Sequence, residues 1–67
     1  MNGNSMIETK GLTILEDQMK HEYLACRKAE HYACTFEDAQ LSALANQISS
    51  EHRQRYDRLF NYLNSHA

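Results

Sequence analysis

Glu22 and His52 are the residues of this chain best placed to do chemistry together. Each is the central polar member of an otherwise apolar series of positions. A carboxylate or an imidazole turned inward is costly to bury alone, so the two must bond to each other or hold a cation. Two-fold association of the chain would gather two Glu and two His, enough for a carboxylate-histidine metal site. In such sites of helical bundles a bridging Glu stands three residues before each His. That position here is Ser49, whose hydroxyl cannot supply a bridging carboxylate. The reading preferred from the residues is a satisfied Glu22–His52 pair, or a His52 capped by Tyr56. A metal site shared between two chains is the alternative.

The other candidates point to packing or solvation. His21, His31 and His66 fall off the apolar stripes and have no second His four residues away on the same face, so they are expected in solvent. The four tyrosines, with Phe36 and Phe60, lie beside the stripes at helical spacings and lack the basic groove a base-stacking surface needs, so they are expected to pack. Arg53, Arg55 and Arg58 alternate with Glu51 and Asp57, which describes a solvated or interhelical face. Cys26 and Cys34, eight residues apart on one helix, are separated by ~12 Å, beyond the ~7 Å limit for a disulfide. Both are expected as small buried hydrophobes. There is no Ser-His-Asp spacing, glycine-rich phosphate loop or Cys-x-x-Cys pair, and a short-looped hairpin offers little concave surface, so the chain is not expected to be an enzyme.

Two helices must position Glu22 and His52. Leu12, Leu15, Met19, Glu22, Cys26, Ala29, Ala33 and Phe36 follow at alternating three- and four-residue steps, one face of a helix. Leu41, Ala45, Ile48, His52, Tyr56 or Arg55, Leu59 and Leu63 form a second stripe, widened by Leu44 and Phe60. Thr13 with Glu16 and Thr35 with Asp38 have capping-box spacing. A turn centred near Glu37 sets positions whose numbers add to 74 at one level: Leu15 with Leu59, Cys26 with Ile48, Ala29 with Ala45, Ala33 with Leu41, and Glu22 with His52. With no Gly or Pro at the break, one continuous helix forming a long coiled coil is the rival architecture.

Sixty-seven residues make one domain, and a hairpin of this size leaves each apolar stripe poorly covered, so association with a second copy is expected. Seven basic against nine acidic residues, dispersed along the chain, leave no nucleic-acid footprint. Residues 1–11 hold both glycines and no apolar period and are expected as a flexible tail, with residues 12–67 forming the helical domain. No apolar run suits a secretory signal or a membrane span, so a soluble cytoplasmic protein is expected.

One resemblance adds to this reading. Glu16, Tyr23, Ala29-Glu30, Asp38 with Leu41, and Ile48-Ser49-Ser50-Glu51-His52 before Tyr56-Asp57-Arg58-Leu59-Phe60 resemble the ferritin-like superfamily. Within it they are most similar to the spore coat protein F family, over about fifty residues. The resemblance implies an all-α, four-helix up-down-up-down bundle, here assembled from two hairpins. It selects Glu16, thirty-six residues before His52, as the first-helix carboxylate, whereas the stripe selects Glu22. In the alternative reading Glu16, Glu22 and His52 of two chains would bind iron or manganese. With Ser49 in the bridging position, the resemblance implies a bundle kept as a structural or interaction element associated with the spore coat, without a cofactor.

Overall fold

The computed structural model describes residues 9–66 as two helices, α1 (Thr9–Thr35) and α2 (Ala39–His66), folded back on each other as an antiparallel hairpin. A single continuous helix is excluded, because the chain reverses within Phe36-Glu37-Asp38. The reversal rests on Asp38. Its Oδ1 accepts hydrogen bonds from the backbone N–H groups of Gln40 (2.8 Å) and Leu41 (3.0 Å), satisfying free donors of the first turn of α2 as an N-cap does. Phe36 N–H completes α1 by donating to the Tyr32 carbonyl (2.9 Å).

Both expected capping boxes form differently. The Thr35 hydroxyl donates to the His31 carbonyl (2.7 Å) and does not reach into α2, so Asp38 caps alone. The Thr13 hydroxyl donates to the Thr9 carbonyl (3.1 Å), because α1 already runs through Thr9, Lys10 and Gly11. Thr9, Lys10 and Gly11, expected in the tail, thus belong to α1, and the remainder of the expected tail, residues 1–8, lies outside the described residues.

The seam between the helices is narrow and built of small side chains. Cys26, Ala29, Ala33 and Ala45 are buried, as are Glu22 and Ser49. Small residues let two backbones approach, and two hydroxyls tie the seam: Ser42 Oγ donates to the Ala33 carbonyl (2.7 Å), and Ser49 Oγ lies 3.3 Å from Cys26 Sγ. This corrects the expected second stripe. Ser42 and Ser49 take the inward positions assigned to Leu41 and Ile48, which are 47 and 39 % exposed. Cys26 thus meets Ser49 in place of Ile48, and Ala33 meets Ser42 in place of Leu41. Leu41 or Ile48 at the seam would force the helices apart, whereas one step of about 100° around α2 places them outside it. Leu12 and Phe36, the ends of the first stripe, are also exposed. Toward the open end Leu15, Met19, Tyr56, Leu59 and Leu63 are half-buried and widen the seam. Among the described residues, no helix is long and apolar enough to cross a membrane.

Candidate functional site

Glu22 is the middle residue of α1, and His52 lies at the middle of α2. The hairpin brings them together as their positions require: His52 Nδ1 lies 2.5 Å from Glu22 Oε1, where the imidazole N–H donates to the carboxylate. Gln18, one turn earlier on α1, donates from Nε2 to the other oxygen, Oε2, at 2.7 Å. Both carboxylate oxygens are thereby engaged, and His52 keeps Nε2 free of any bond within the described residues. Arg55 Nη1 stands 3.5 Å from His52 Nδ1, too far to compete for that nitrogen and near enough to add positive potential. Tyr56 does not cap His52; its ring packs 6.2 Å from that of Tyr23 instead.

The His52 bond, foremost, holds the Glu22 carboxyl below its ordinary value. The Gln18 bond and the charges of His52 and Arg55 act in the same direction, and burial opposes them. Burial loses this contest for a geometric reason. Glu22 is covered to 5 % exposure, but in a hairpin only one helix thick, so water is close on both sides.

Glu16 does not join this pair. It is exposed, lies about 120° around α1 from Glu22, and lines a different groove with Leu12, Lys20 and Phe60. Within the hairpin the carboxylate beside His52 is thus Glu22, the one on the stripe. Ser49, three residues before His52, is buried and turned to Cys26. Within one chain, no group of three or more His, Cys, Asp or Glu among the described residues could hold a metal ion. A site of that kind would have to draw Glu22 and His52 from two chains, with the His52 Nε2 atoms as the open ligands.

His21, His31 and His66 are exposed, as expected, and His66 bonds to the Tyr62 carbonyl (2.8 Å). Cys26 is buried but Cys34 is exposed, which corrects its assignment to the core. The tyrosines are mostly outside it: Tyr23, Tyr32 and Tyr62 are 43–49 % exposed, and only Tyr56 is half-buried. Among the described residues the ion pairs are Glu22–His52 and Arg27–Glu30; Arg53, Arg55 and Arg58 are exposed and do not pair with Glu51 or Asp57. Sequence reasoning missed Gln18, although its place four residues before Glu22 on the same face was the available signal.

Comparison of the chain with protein-family models, curated proteins and solved structures finds no match.

Proposed function

We propose that the chain is a non-catalytic structural or interaction protein that works as a homodimer, each hairpin contributing two helices to a four-helix bundle. The observation that carries this reading is the state of the large apolar side chains. None of the described residues is fully buried, and Ile14, Leu24, Leu41, Leu44, Ile48 and Phe60 are 39–58 % exposed in the single hairpin. A two-helix unit sealed by alanine, serine and cysteine removes too little apolar surface from water to hold itself together, and its larger side chains are left for a second layer. The likeness of its residues to coat-associated ferritin-like proteins supports the same role, in association with the spore.

A second reading is favoured by one observation, the central position of Glu22 and His52. A two-fold contact between hairpins would bring both pairs to one level, where two carboxylates and two imidazoles form a donor set suited to iron or manganese. Native mass spectrometry with and without Fe(II) or Mn(II) separates the readings. A metal-free dimer that stays metal-free supports the structural bundle. A dimer with one or two ions, lost on His52→Ala, overturns it in favour of the metal site.

A further inference from the structure

We draw no further inference here: the strongest candidate, the apolar groove that Tyr32, Phe36, Leu41, Leu44 and Ile48 line between the turn and His52, carries nothing, because nothing in the structure shows what covers it.

Discussion

Replacing Glu22 and His52 by leucine, singly and together, gives the most informative perturbation of the hairpin. His52→Leu leaves a covered carboxylate with only Gln18 and the nearby Arg55 to satisfy it. Removing one partner from a fully buried ion pair costs about 3–5 kcal/mol. The His52 side chain is 21 % exposed and the hairpin is thin, so solvent screening reduces this to about 2 kcal/mol. Glu22→Leu is milder, about 1 kcal/mol, because a neutral imidazole can turn Nε2 to water. The double variant replaces a polar pair by two apolar side chains of similar size facing each other and is expected within about 1 kcal/mol of the native protein. The coupling energy is then about 3 kcal/mol. Urea unfolding followed by circular dichroism at pH 7 measures it, at one protein concentration because the apparent stability of any dimer depends on concentration. Strict additivity of the two single variants would refute the reasoning. Acid supplies the matching signature. The Glu22 carboxyl is depressed in the folded state, so its contribution is complete above about 4.5, its unfolded value, and is lost as pH falls through the lower folded value. His52→Leu should flatten that part of the stability profile.

Further outcomes follow from single positions. Asp38→Ala removes the cap of α2 and should lower stability by about 1 kcal/mol in the same urea assay, whereas Asp38→Asn should recover most of it. Cys34 should react with a thiol reagent at the rate of a free cysteine and Cys26 at least tenfold more slowly; equal rates would contradict the seam described here. Ala45→Leu should overpack the buried seam between the helices and cost about 1–3 kcal/mol, measurable as a fall in urea midpoint. Ile48→Ala should weaken the dimer roughly tenfold in sedimentation, from about 0.7 kcal/mol of apolar burial lost on each of two chains.

How much of this was legible in the residues varies by position. The two helices and the meeting of Glu22 with His52 were legible, because one carboxylate and one imidazole each interrupt a three-four apolar series at matching distances from the turn. Asp38 was legible as part of a cap, although its bonding partners were not. The inward face of α2 was misread by one residue. Apolar periodicity ranks positions by hydrophobicity and so selects Leu41 and Ile48, but the nearest helix takes the smallest residues, Ser42, Ala45 and Ser49. Size and hydrophobicity point in different directions when a helix has two partners at different distances, and a single sequence does not say which partner is nearer. Glu16, which a spacing taken from a family resemblance selects, is turned away from His52 within the hairpin by helical geometry.

The central claim is that the larger apolar residues of this hairpin are covered by a second copy of the chain. Sedimentation equilibrium of the native protein at pH 7, from about 1 to 100 μM, tests it most directly. The account predicts a mass of twice 7.8 kDa, with helicity falling in step with dissociation at the lowest concentrations. A fully helical monomer across that whole range would contradict it.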